Sequence, residues 1–208
     1  MEILGVRLDL IGEGEVLRTI EGQLEGASRG LYVIATVNAE CVDLAAGDPD
    51  YRQLLGRSTL NLVDSAGVAW IARLRGYGPQ QRIPGSDLIY DLARLCRSHG
   101  QRLFLLGARP PVAEAAALRL REMYPGLEVE SYSPPPTPSD ELPPAEEESI
   151  FQRLAAFSPR VLCVALGMPK QERWIHRRHG RLEDTGVRVA IGVGGALDYL
   201  AGAVPRAP

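Results

Sequence analysis

The sequence predicts an α/β fold, a mostly parallel sheet with helices on both faces, entered through an N-terminal β-hairpin. Three observations carry the prediction. Short β-branched runs alternate with longer stretches of helical periodicity along the whole chain. That alternation builds parallel sheets, because a strand, a crossover helix and the next strand form a right-handed unit. The chain has 208 residues and no internal repeat, so 1–208 is expected to be a single domain. The arrangement is Rossmann-like, and ligands in such folds bind at the carboxyl ends of the strands.

The elements follow in order. "MEILGVRLDL" alternates around Gly5 and predicts the hairpin within 1–12. "GEVLRTIEGQLEG" spaces Val16, Leu17, Ile20 and Leu24 as one helical face. Strands are predicted at "LYVIATV", "LNLV", "RLFLLG", "LEVESY", "RVLCVALG" and "VRVAIGVG". Helices are predicted at "DLIYDLARLCRSHG", "PVAEAAALRLREMY" and "EEESIFQRLAAF". The stretch 134–144, "PPPTPSDELPP", is too rich in proline for a central strand or helix interior. It reads as a stiff surface loop or a lid over a site, leading into an acidic helix start at Glu146, Glu147 and Glu148.

Composition narrows the function classes. A net charge of −3 gives no support for wholesale nucleic-acid binding. No apolar run approaches the ~20 residues of a membrane span, and no signal peptide opens the chain, so a cytoplasmic protein with at most peripheral membrane contact is expected. Cys41, Cys96 and Cys163 lie far apart in apolar stretches and read as buried thiols in a reducing compartment.

The strand ends carry the chemistry. Thr36 and Asn38 end "YVIATVN"; Asn38 reads equally as a helix cap or, with Thr36, as a polar ligand contact. Asp64 ends "LNLVD" and is either a cap or a general base that takes a proton from a substrate hydroxyl. Arg82 sits in a Gly/Pro-rich loop before a helix opening at Gly85-Ser86-Asp87, with Ser86 available as its cap. There Arg82 is a solvated cation or a diphosphate clamp. "ALGMPKQERW" turns at Gly167, places Pro169 in a first helical turn and sets Glu172 against the helix dipole. Gln171 is read as a ligand contact and Lys170 as a weaker one, while Trp174 reads as packing. Gly192, Gly194 and Gly195 permit close approach of backbone amides to a phosphate, and Asp198 suits a ribose or base. This last stretch imitates a dinucleotide fingerprint, but Leu197 occupies the third glycine position, which disfavours an NAD-dependent oxidoreductase.

Two further patterns mislead. Asp48-Pro49-Asp50 matches a metal-binding D-x-D, yet it follows a helix and reads better as a cap with proline in the first position. His176 and His179 are three apart on a helix without further metal ligands nearby. Together with Arg173, Arg177, Arg178 and Arg181 they read as a solvated basic face or a phosphate- or membrane-facing patch.

Taken in order, "TVNAE", "LVDSAGVAW", "RIPGSDLIYDL", "FLLGARPPVAEAAALRLREMYPGL", "ALGMPKQERWI" and "IGVGGALDYLAGAVPRAP" resemble the TagA/WecG/CpsF glycosyltransferases over residues 32–208. The resemblance implies an inverting, metal-independent enzyme without a cofactor. Its donor would be a UDP-sugar of the N-acetylmannosamine type, and its acceptor a polyprenyl-diphosphate-linked N-acetylglucosamine. The product would serve teichoic acid, common antigen or capsule synthesis at the inner face of the cell membrane. It further implies Asp64 as general base, Arg82 as diphosphate contact, and Thr36, Asn38 and Gln171 as pocket residues. The turn carrying Gly192, Gly194, Gly195 and Asp198 would bind the nucleotide. Relatives usually continue past the "RAP" motif into a membrane-docking segment; this chain ends at Pro208, and without that segment a homodimer or homotrimer is expected. The alternative is a non-catalytic nucleotide-sugar-binding or scaffolding protein on the same fold.

Overall fold

A computed structural model describes residues 1–26, 30–79, 81–137 and 141–204. The "RAP" motif and part of the proline-rich loop lie outside the described residues. The chain opens with β1 (Glu2–Ile3) and β2 (Val6–Arg7), an antiparallel hairpin turning at Leu4 and Gly5, followed by α1 (Glu13–Leu24). Next come β3 (Tyr32–Val37), α2 (Ala39–Gly47), α3 (Pro49–Arg57), β4 (Leu60–Val63), α4 (Ala66–Leu74) and α5 (Gly85–Ser98). The second half contains β5 (Leu103–Gly107), α6 (Val112–Met123), β6 (Val129–Tyr132), α7 (Pro144–Phe157) and β7 (Val161–Ala165). It closes with α8 (Lys170–Arg177), α9 (His179–Asp184), β8 (Val189–Gly192) and α10 (Ala196–Leu200).

β3 to β8 form one parallel sheet in the order β4-β3-β8-β7-β5-β6, so the expected mostly parallel sheet is parallel throughout. Alternate residues of each strand enter opposite cores, as the pleat requires. Ile34, Leu62, Leu105, Cys163 and Ile191 pack with residues from α1, α5, α6 and α10. On the other face Val33, Phe104, Leu162 and Ala190 meet α7, α8 and α9, while Ala35, Val37 and Val63 meet α2, α3, α4 and the hairpin. The three cysteines are buried and unpaired.

β3 and β8 are neighbours in space, but their following helices leave to opposite faces, α2 to one and α10 to the other. Such a divergence opens a crevice at the carboxyl edge.

The basic face is paired with acids while part of it stays exposed. Arg173 pairs with Asp48 at 2.5 Å, Arg177 with Glu141 at 2.6 Å, Arg181 with Glu148 at 2.8 Å, and Arg178 with Glu147. The acidic start of α7 therefore latches α9 and its junction with α8, and Glu141, just before α7, holds α8, a pairing that sequence spacing conceals. His176 turns inward to Ser58 Oγ at 3.1 Å, and burial pushes its pKa down to about 4, so it stays neutral. Asp48 caps α3 by accepting from Tyr51 N–H at 2.9 Å, with Pro49 in the first turn.

Candidate active site

A cleft of about 460 Å³ lies over the ends of β4, β3, β8 and β7. Each wall has a local cause. Thr36 lies one residue before the end of β3 and its hydroxyl donates to the Gly192 carbonyl at 3.0 Å, tying β3 to β8 beside the cleft. Asn38 caps α2, its Oδ1 accepting from Cys41 N–H at 2.9 Å, and it also lines the cleft.

Asp64 follows β4, its N–H donating to Val37 O at 3.0 Å. It is not the cap of α4; Ser65 fills that role by accepting from Val68 N–H at 3.4 Å. The Asp64 side chain borders the cleft instead.

Arg82 reaches the same cleft because both its neighbours are fixed. Ile83 is buried and donates its N–H to Val63 O at 2.8 Å, which lays the loop beside the end of β4. Gln81 exchanges hydrogen bonds with Glu13 at the start of α1, at 3.1 and 2.9 Å. Residues 63 and 83 are thus joined by backbone, and their neighbours Asp64 and Arg82 share one cavity.

Ser86 does not cap α5 as expected. Pro84 occupies that position and no side chain caps the helix. Gly85 and Ser86 line the cleft, so the positive end of a 14-residue helix is directed there. The absence of a Cβ at Gly85 permits this, since one would lie 3.3 Å from Thr36 Cγ2.

Gln171 is buried yet borders the cleft. Its Oε1 accepts from Gly194 N–H at 3.1 Å and its Nε2 donates to Glu172 Oε1 at 2.7 Å. This relay orients the amide and fixes the glycine turn. Glu172, read as complementing the helix dipole, does lie in the first turn of α8, and it is only 4% exposed. Burial raises its pKa to about 7, against the opposing pull of the Gln171 amide and the Tyr51 hydroxyl. Neither Tyr51 Oη nor Glu172 Oε2 completes a well-formed hydrogen bond.

The predicted residues therefore separate. Thr36, Asn38, Asp64, Arg82, Gln171, Gly194 and Gly195 line the cleft. Gly192 lies behind it: a Cβ there would sit 2.7 Å from Gln171 Nε2 and 2.9 Å from Glu172 Oε1, so glycine makes room for the relay. The Gly194 N–H is already engaged by Gln171, which leaves it no simple phosphate-binding role. Asp198 and Lys170 line a second cleft of about 380 Å³ with Arg109, 134–137 and Leu142, joined to the first through Gly167, Gly194 and Gly195. Arg109 was not anticipated, although it follows β5 directly and a consistent reading of strand ends would have found it. Glu40, Met168 and Tyr199 also line the first cleft and carried no sequence signal.

The arrangement offers a carboxylate, a guanidinium and a helix N-terminus around one cavity. The combination suits deprotonation of a hydroxyl beside stabilisation of a departing anion.

The family model described as the glycosyl transferase WecG/TagA/CpsF family matches residues 1–208. Among curated proteins, the chain is similar to the N-acetylglucosaminyldiphosphoundecaprenol N-acetyl-beta-D-mannosaminyltransferases of Staphylococcus aureus strains NCTC 8325 / PS 47, COL and MRSA252. Each is 31% identical over 208 residues, covering 100% of this chain and 78% of the relative.

Proposed function

Because the chain belongs to the WecG/TagA/CpsF glycosyltransferase family and is a glycosyltransferase, we propose that it transfers an N-acetylmannosamine-type sugar from UDP to polyprenyl-diphosphate-linked N-acetylglucosamine. The names of its relatives support the sugar and the acceptor. The observation that carries the mechanism is the meeting of Asp64 and Arg82 in one cleft, under the N-terminus of α5.

Asp64 takes the proton of the acceptor hydroxyl as its oxygen attacks the anomeric carbon. The carbon–oxygen bond to UDP breaks on the opposite face, which inverts the anomeric centre. The negative charge released on the diphosphate meets Arg82 and the positive end of α5. Thr36, Asn38 and Gln171 border the sugar and diphosphate, while Gly194, Gly195 and Asp198 lead into the second cleft, which takes the nucleoside. No divalent ion is required, since a cation and helix amides already face the leaving group. Among the described residues, Glu21, Glu25 and His99 bring three ligand atoms within 4.8 Å of one another. His99 is the C-cap of α5, about 20 Å along that helix from the cleft. The enzyme works at the inner face of the membrane, where its acceptor lies, and its product enters a cell-surface polymer.

The test is transfer from UDP-N-acetylmannosamine to a short-chain lipid-diphosphate N-acetylglucosamine, by wild type and Asp64→Asn. Formation of the disaccharide by wild type alone is expected. UDP binding without transfer would indicate a non-catalytic nucleotide-sugar-binding protein, and turnover by Asp64→Asn near the wild-type rate would remove Asp64 as base.

A further inference from the structure

α4, "AGVAWIARL", is apolar around nearly its whole circumference, yet only part of it is covered. Val68 and Ala72 are buried against the core formed with the hairpin, α2 and α3. The opposite side carries Gly67, Trp70 and Leu74, and Tyr77 continues it beyond the helix end. Trp70 is 62%, Leu74 65% and Tyr77 53% exposed. Spacings of three and four residues place these groups on one stripe. A helix that is apolar all round ordinarily belongs in a core or a lipid phase.

Charge distinguishes the two kinds of partner. Residues 65–82 contain Arg73, Arg75 and Arg82 and not a single Asp or Glu, in a chain of net charge −3. Arg73 and Arg75 are exposed at the edge of the stripe. Tryptophan and tyrosine flanked by arginine is the composition that settles at the head-group level of an anionic bilayer. A second copy of this acidic chain would have to set the same basic stripe against itself or against a different surface.

Position agrees with charge. α4 begins two residues after Asp64 and runs about 13 Å away from it, so the stripe starts at the mouth of the cleft. Among the described residues no helix is long and apolar enough to cross a membrane. A lipid-linked diphosphate holds its sugar just outside the head groups, within reach of a cleft lying beside the bilayer plane.

We propose that the exposed face of α4, formed by Trp70, Leu74 and the adjoining Tyr77 with Arg73 and Arg75 at its edge, docks on an anionic lipid surface and presents the cleft to the acceptor. The inference rests on the lipid-linked acceptor proposed above.

The protein supplies its own reporter. Of its two tryptophans, Trp174 is buried against Phe151, so an environment-dependent change in emission comes from Trp70. The 208-residue chain is titrated with vesicles of phosphatidylglycerol and phosphatidylcholine in equal parts, and with phosphatidylcholine alone. A blue shift and co-sedimentation are expected with the anionic vesicles, weaker in high salt and with neutral vesicles. The exposed-site double variant Trp70→Ser, Leu74→Ser should lose about tenfold or more in vesicle affinity. It should keep wild-type transfer to a water-soluble short-chain acceptor, which also shows that it folds. Unchanged vesicle binding by the variant overturns the proposal, as does equal binding to neutral vesicles. A blue shift that follows protein concentration without lipid assigns the stripe to self-association and overturns it too. Loss of short-chain transfer in the wild type would defeat the proposed reaction instead, so the two failures are distinguishable.

Discussion

α4 and α8 invert each other. Both follow a strand at the same sheet edge, and both carry a tryptophan. α4 has one charged residue in "AGVAWIARL" and leaves its tryptophan in solvent, whereas α8, "KQERWIHR", is mostly polar and buries Gln171, Glu172, Trp174 and Ile175. Hydrophobicity of the segment alone would have exchanged them. α8 faces the interior because it packs with α7 and the inner strands, while its arginines are taken up by Asp48 and by Glu141, just before α7. α4 follows the edge strand β4, where the sheet ends and no further helix covers its outer side among the described residues.

The comparison can be broken at its two acids first. Asp64, before α4, borders the cleft as a proposed base, so Asp64→Asn should lower transfer by about 10²- to 10⁴-fold with an unchanged melting temperature. Glu172, in α8, is a buried positioning group, and its variant should act on stability instead, as described below.

The two tryptophans give the next largest contrast. Trp174 is 5% exposed and stacks on Phe151 with ring centroids 5.8 Å apart, so Trp174→Ala should cost about 3–5 kcal/mol in denaturant unfolding. Trp174→Phe should cost much less, because the buried indole N–H has no hydrogen-bond partner among the described residues. Trp70→Ala should stay within about 0.5 kcal/mol. Equal losses for Trp70→Ala and Trp174→Ala would erase the distinction between the helices.

Glu172 adds a pH signature. Its folded-state pKa is raised from the ordinary 4.5 to about 7, mainly by burial. The folded protein therefore holds this proton more tightly than the unfolded chain. The resulting stabilisation is complete below pH 4.5 and is lost as pH rises through 7, a contribution of roughly 3 kcal/mol at most. Glu172→Gln keeps the acceptor for Gln171 and should flatten this part of the stability profile between pH 5 and 8. A variant with the wild-type slope would place the titration elsewhere. The smallest expected effect is that of metal removal: EDTA should leave transfer within twofold, and a collapse of activity restored by a divalent ion would revise the leaving-group chemistry.

Much of this protein was legible in sequence because the signals are local. Every predicted strand and helix appears, with ends shifted by a few residues, since periods of 2 and 3.6 are written within each segment. The polar residues at strand ends were legible for a related reason. A parallel sheet directs every strand's carboxyl end to one edge, so Thr36, Asn38, Asp64 and Gln171 were candidates before any contact was known.

What tertiary structure alone decided is partnership across the strand order. The placement of β8 between β3 and β7 puts Gly192 behind the cleft, binds Gln171 to Gly194, and sends Asp198 and Lys170 to the neighbouring cleft beside Arg109. The same packing turned a basic helix face into four ion pairs and Glu172 into a buried acid. Sequence by itself determined which segments are strands and helices and which edge holds the chemistry, because these follow from local periodicity and chain direction. Only the tertiary structure determined which residues share a cavity and which tryptophan meets solvent, because burial depends on neighbours that come from distant parts of the chain.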